Sequence, residues 1–247
     1  MPTVAALWRH PIKAHGREAL GHVRLTEGQT MPWDRRWAVA HEAAKTDGTE
    51  WAPCVNFSRG AKVASLMAID AQSDVEAGTV TLRHPERPDL CLDPDQDPAP
   101  FLDWVKPLMP ENRAQSARLV RVPDRGMTDT DYPSLSLLNL ASNEALAAKM
   151  GRPLSILRWR GNIVMDGLSE WQEFDWIGRT LRIGSAELKV HERIERCLAT
   201  ATNPDTGERD ADTLGALNEH FGHQDFGIYV TVVASGDIRT GDAIEFV

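Results

Sequence analysis

The chain has 247 residues, 42% of them hydrophobic and 26% charged, with a formal net charge of −9. This length and balance fit a globular protein with a substantial core and exclude a disordered chain. The acidic excess argues against a nucleic-acid partner, because neutralising phosphates needs a basic face. No run approaches the ~20 apolar residues that span a bilayer, so no membrane partner is expected either.

The N-terminus, MPTVAALWRHPIKAHG, lacks the basic start and long apolar middle of a secretory signal, and the expected location is cytoplasmic. The first half then runs through short β-like segments: TVAALWRH, HVRLT, RWAVAHEA, KVASLMAID and GTVTLRH. Most are bounded by Gly, Pro or Asp, the spacing of a meander or barrel and not of βαβ units. RPDLCLDPDQDPAP is rich in Pro and Asp and predicts an exposed connection, and FLDWVKPLM predicts one short helix stopped near Pro110. In LLNLASNEALAAKMGRP, Ser142 is a candidate N-cap, with Gly151 and Pro153 as the stop. LSILRWRGNIVMDG, TLRIGSAELKVHERIERC, DFGIYVTVVASGDI and GDAIEFV read as further strands, with a hairpin at Gly184-Ser185. DTLGALNEHFG places Leu214, Leu217 and Phe221 on one helical face with Asp212 as its cap. The expected fold is mainly β with a few helices (α+β).

Three cysteines, Cys54, Cys91 and Cys197, are odd in number and widely spaced, which suits reduced thiols. Phosphate-loop, dinucleotide-binding, zincin and nucleophile-elbow signatures are all absent. A lone cysteine is commonly a small core hydrophobe. At Cys197, however, Arg193 and Arg196 bring positive charge that favours a thiolate, and the turn after it offers backbone N–H groups with the hydroxyls of Thr200, Thr202 and Thr206. A thiolate there is a soft ligand or a nucleophile. A cysteine hydrolase with His191 as base fits poorly, since six residues of extended strand place His191 some 20 Å away.

The run RWRGNIVMDG…RIERCLATATNPDTGERD…HFGHQDFGIYVTVVASGDIRTGDAIEF resembles the MOSC family, the domain related to the C-terminal part of molybdenum cofactor sulfurases and to the mitochondrial amidoxime-reducing component. LWRHPIKAHGREAL and MPWDRRWAVA are similar to the β-barrel domain that precedes MOSC in that family. The resemblance implies an N-terminal MOSC-associated β-barrel domain over residues 1–112 and a MOSC β-barrel domain over 113–247. It implies a molybdenum–molybdopterin cofactor with Cys197 as metal ligand and catalytic residue, and Lys13, Arg35, Arg160, Asn162 and Arg196 as cofactor-binding residues. Thiolate sulfur suits a soft oxo-metal, and Arg and Lys suit phosphate.

Ala14 stands where relatives carry a hydroxyl residue, and Glu195 where they carry a small one. Glu195 is a second catalytic candidate; strand alternation puts it on the side of Cys197, to repel an anion or donate a proton. The implied reaction is reduction of an N-hydroxylated or N-oxygenated small-molecule substrate, with electrons from a separate reductase or ferredoxin-like protein. The family also carries an association with pyridoxal phosphate binding. Two alternatives stay open: a sulfur carrier with a Cys197 persulfide, and a non-enzymatic binding domain that has lost the cofactor.

Overall fold

In the computed structural model, which describes residues 1–247, the first strand already joins the two halves of the chain. Thr3–Arg9 buries Val4 and Leu7 and pairs antiparallel with Ile163–Asp166 on one side and Glu18–Leu20 on the other. It belongs to an eight-stranded sheet in the spatial order Ile244–Phe246, Thr180–Ile183, Ala186–Glu195, Asp225–Ala234, Leu135–Asn139, Ile163–Asp166, Thr3–Arg9, Glu18–Leu20. His22–Leu25 pairs with Gly236–Arg239, and Ala38–His41 with Ser116–Val120. Segments from before and after residue 112 are therefore interwoven in the sheets.

The large sheet curls around a cluster of 21 buried apolar residues, among them Leu7, Leu25, Leu137, Ile228, Val230 and Val232. Each such side chain contributes roughly 1.5–3 kcal/mol of burial. A second cluster of 15, including Ile12, Trp37, Leu66, Val80 and Phe101, fills the space between the three-stranded sheet Asp70–Asp74, Thr79–His84, Arg87–Leu92 and the helix Ala99–Val105. The fold is mainly β with three α-helices, as the segment pattern implies.

Several elements differ from their sequence reading. RPDLCL is a strand, Arg87–Leu92, and its Pro88 is tolerated because the strand lies at a sheet edge. KVASLMAID is no strand over most of its length. Leu66, Met67, Ala68 and Ile69 are buried in succession, which defeats alternation, and Ala64–Ala68 coils as a 3-10 turn. The helix Leu140–Met150 is capped by Asn139, whose side chain accepts from the Ala141 N–H; Ser142 is buried and donates to Glu173. Gly151 ends that helix at φ 65, and Asp212 caps Thr213–Phe221 by accepting from the Gly215 N–H. FLDWVKPLM is helical only to Val105 and then tightens to a 3-10 turn, Lys106–Leu108.

Candidate functional site

The long strand Ala186–Glu195 stops two residues short of Cys197. Its register against Asp225–Ala234 shifts between Val190 and Glu192 and again between Arg193 and Glu195. These bulges re-aim the side chains upstream of Glu195, and Glu195 and Cys197 are both exposed at the strand end. Arg196 anchors the chain here. Its guanidinium turns inward, donating from Nε and Nη2 to the Phe226 carbonyl (2.8 and 2.5 Å) and from Nη1 to the Trp159 carbonyl (2.8 Å). Gly227 makes room, at φ 78, because a Cβ there would lie 2.5 Å from the Leu137 carbonyl oxygen. Cys197 follows in extended conformation, exposed and unpaired, and its thiol makes no capping hydrogen bond.

Behind it, basic side chains from distant segments converge. Lys13 is buried, with Nζ donating to the Met127 carbonyl (2.9 Å) and Asp129 (2.5 Å). Arg35 donates to Asp34 (2.5 Å), the Arg160 carbonyl (2.7 Å) and Asn162 Oδ1 (3.3 Å). Arg160 reaches the Gly16 carbonyl (3.0 Å) through Nη2, and its Nη1 is buried without a partner. Asn162 is a junction: Oδ1 accepts from the Ser136 N–H and hydroxyl (both 3.1 Å), and Nδ2 donates to the Trp8 carbonyl (3.3 Å). Asn162 and Arg196 are thus engaged within the protein and hold the others in place.

The electrostatics report the crowding. Burial and then the charges of Arg35 and Arg17 pull Arg160 down to about 9. Burial opposes the charge on Arg35, but Asp34 raises it above the ordinary arginine value. Burial likewise opposes the Asp34 carboxylate, yet Arg35 and His10 hold it well below the usual range. Lys13, the strongest influence on Asp129, holds that carboxyl at about 2. Burial, followed by Asp129, pushes Tyr229 up to about 12. Asp34 and Asp129 are the carboxylates that act on Lys13, Arg35, Arg160 and Arg196, so this cluster of four cations keeps a positive surplus.

Residues 1–105 match the family described as the MOSC N-terminal beta barrel domain, and residues 124–245 match the MOSC domain. The chain belongs to the MOSC family. The mitochondrial amidoxime-reducing component 1 of Xenopus laevis is 33% identical over 128 residues, covering 46% of this chain and 37% of that protein. The molybdenum cofactor sulfurase of Drosophila yakuba is 30% identical over 139 residues, 52% of this chain and 18% of that one. The chain thus matches well under half the length of these curated relatives. The YUAD protein of Bacillus subtilis aligns in structure over 99% of this chain and 94% of its own, at 13% identity and a TM-score of 0.49.

In this MOSC protein the Asn203–Gly207 turn follows the 3-10 turn Leu198–Ala201 that Cys197 opens. It closes through Gly207 N–H to the Asn203 carbonyl and Asp205 N–H to Asn203 Oδ1, both 2.9 Å. Gly207 has φ 72, and a Cβ there would lie 2.8 Å from Ser65 Cα, so the turn rests directly on the Ala64–Ala68 segment. Buried Arg17 clamps the two by donating to the Met67 (2.7 Å) and Pro204 (2.9 Å) carbonyls. Of the hydroxyls after Cys197, those of Thr200 and Thr206 are engaged within the protein, and that of Thr202 is buried without a partner. Thr200 bonds Thr213 and the Cys197 carbonyl, and Thr206 accepts from the Glu208 N–H. Arg193 lies over the Phe174 ring at 4.2 Å, near Asp225 at 3.9 Å.

Asp34, Asp129, Tyr229 and Arg17 were not candidates from the sequence. Asp34 and Tyr229 stand inside MPWDRRWAVA and DFGIYVTVV, stretches that carry the family resemblance and could have named them. Asp129 lies in a loop, DRGMTDTDYP, with no motif, and Arg17 carries no local signal.

Proposed function

We propose that this protein holds a molybdenum–molybdopterin cofactor at the junction of its two halves and reduces N-hydroxylated or similar N-oxygenated small molecules. One observation carries the reading: an exposed, unpartnered Cys197 stands at the end of a strand anchored by Arg196 to Trp159, the residue before Arg160 in a cluster of buried basic side chains, in an acidic protein. The donor set fits the group. The unpartnered Arg160 Nη1 and the surplus charge around Lys13 and Arg35 suit an anionic, phosphate-bearing ligand. No three His, Cys, Asp or Glu side chains gather to hold a bare metal ion, so a metal here would come within a cofactor, with Cys197 as its protein ligand.

When bound, the molybdenum centre supplies the two-electron chemistry that, with two protons, turns an N–OH group into N–H and water. The chain itself orients and neutralises the cofactor through Lys13, Arg35 and Arg160, and Asn162 and Arg196 keep these groups in register. Electrons would come from a separate reductase or ferredoxin-like protein, because the sequence carries no flavin fingerprint and no iron–sulfur cysteine cluster. The test is metal analysis of protein made in a molybdenum-competent host, with X-ray absorption at molybdenum for wild type and Cys197→Ser. Ser is nearly isosteric but a hard, weakly acidic ligand, so the cysteine sulfur should leave the metal shell and the reductive activity should vanish while the fold persists. An unchanged sulfur shell with full activity would exclude Cys197 as the ligand. The exposure of the same thiol also favours a second reading, in which it carries a persulfide for a metallocofactor. Metal-free protein with a trapped Cys197 persulfide would select it.

A further inference from the structure

A second concave site lies across the turn that carries Arg35. Where Arg35 reaches Arg160 and Asn162, the next residue, Arg36, lines a separate cavity of about 280 Å³ together with Trp33, Arg121 and Arg125. The Arg36 guanidinium sits 5.1 Å from the Trp33 ring centroid and 5.2 Å from that of Trp37. Its nearest carboxylate, Asp95, is 3.7 Å away and already holds Arg121 at 2.8 Å and the Trp37 indole N–H at 2.6 Å. Arg36 Nε is buried without a partner. Burial and the neighbouring Arg121 lower its pKa, the mark of a positive charge that its surroundings under-compensate.

The remaining charges do not change the sign. Arg125 is turned onto the Thr130, Asp131 and Tyr132 carbonyls, and the Asp131 carboxylate partly offsets its charge without forming an ion pair. Asp34 also borders the cavity, but its carboxylate is held by Arg35 and His10. That leaves Asp124 and the more distant Asp131 against three arginines, two of which share Asp95. Trp33 adopts φ 66 and Asp124 φ 61. For a bulky residue such as Trp33 that left-handed conformation is strained, and strain of this kind concentrates at binding sites.

We propose that the cavity bounded by Trp33, Arg36, Arg121 and Arg125 binds a small oxyanion, the phosphate or carboxylate group of a soluble metabolite. Guanidinium forks match such groups two bonds at a time, and the Trp33 ring gives a short organic substituent an apolar wall. The volume admits a small ligand and not a large cofactor. The assignment does not depend on molybdenum, because none of its arginines belongs to the Lys13–Arg35–Arg160 cluster.

Calorimetric titration with inorganic phosphate, pyrophosphate and malonate tests it on three proteins: wild type, Arg121→Gln and Arg160→Ala. Arg121 is part-exposed, so its replacement leaves the fold intact; circular dichroism verifies this. Binding at the proposed site should weaken at least tenfold in Arg121→Gln and persist in Arg160→Ala, which takes the one unpartnered guanidinium nitrogen out of the competing cluster. Preference for pyrophosphate over malonate marks a phosphate ligand, and the reverse a carboxylate. Crystals soaked in selenate should show an anomalous peak within hydrogen-bond reach of Arg36 and Arg121. Equal affinity in wild type and Arg121→Gln, a peak only beside Arg35 and Arg160, or no saturation by about 10 mM ligand would overturn the assignment.

Discussion

Replacing Asp34 by Asn probes how the basic pocket is held together. Asp34 is buried, accepts from Arg35 Nη1 at 2.5 Å and from the His10 backbone N–H at 2.9 Å, and lies 3.5 Å from His10 Nδ1. Asn keeps the shape, so no cavity opens, and its oxygen can still serve the His10 N–H. What it cannot do is face Arg35 with a negative charge, because its NH2 group would then oppose another donor. Removing one partner of a buried ion pair costs about 3–5 kcal/mol, chiefly from the charge left behind. At roughly 2–4 °C per kcal/mol for a chain of this size, the melting temperature should fall by about 6–20 °C. Urea denaturation and calorimetry at pH 7 measure this, and a cycle with Arg35→Met separates the pair from its surroundings. The double variant should recover much of the loss, since it contains no orphaned charge. A loss under about 1 kcal/mol, or strict additivity in the cycle, would refute the reasoning.

Arg17→Met should cost about 2–4 kcal/mol, because the Met67 and Pro204 carbonyls lose their donor, while the exposed Asp70 and Asp205 add little. The loosened turn should also make Cys197 react faster with a thiol reagent; unchanged melting and reactivity would remove the clamp from the account. Cys54→Ser should change stability by about 1 kcal/mol or less, since the serine oxygen can accept from Arg59 Nη1 as Sγ does at 2.9 Å, and should leave metal content unchanged. Loss of metal in that variant would bring Cys54 into the site. Burial lowers His15 from 6.5 to about 4, so the unfolded chain binds the proton more tightly. His15's contribution is complete above pH 6.5 and is lost as the pH falls towards 4, by at most about 1.4 kcal/mol per unit, with His10 acting in the same direction. Flat stability between pH 7 and 5 would contradict this.

What could be read from the sequence was local. Thr3–Arg9, Thr79–His84 and Asp225–Ala234 alternate or run apolar within their own few residues, and the Gly151 stop and the Asp212 cap need no distant partner. Arg87–Leu92 was hidden because its pairing with Thr79–His84, and not its own Pro- and Asp-rich composition, makes it a strand. The site divides in the same way. Cys197 could be read from thiol chemistry and from the family resemblance. Asp129 could not, because its partner Lys13 is 116 residues away and nothing in an acidic loop marks the one carboxylate that will meet it. The family resemblance implies Arg196 as a cofactor-binding residue; what no resemblance could convey is that its guanidinium makes three bonds to the Phe226 and Trp159 carbonyls and so also holds the backbone.

The backbone around the pocket shows why these side chains need so much support. Of the six non-glycine residues with positive φ, Ala14 (64°), Arg35 (47°) and Arg160 (49°) lie beside Lys13 or carry the basic groups themselves. A left-handed conformation costs an L-residue roughly 1–2 kcal/mol. Hydrogen bonds offset that cost: the Arg35 N–H donates to the His10 carbonyl at 2.7 Å, the Arg160 N–H to Leu157 at 3.2 Å, and Arg35 Nη2 to the Arg160 carbonyl at 2.7 Å. One strained turn thus fixes the other. A free arginine side chain carries about 2 kcal/mol of rotamer entropy, which a binding site normally loses when its ligand arrives. Here Arg35 and Arg160 are already ordered by folding, so that loss does not fall on ligand binding. A fold that sustains two left-handed arginines and a buried, unpartnered Nη1 has its donors set in place by folding, as the proposed anionic cofactor would require.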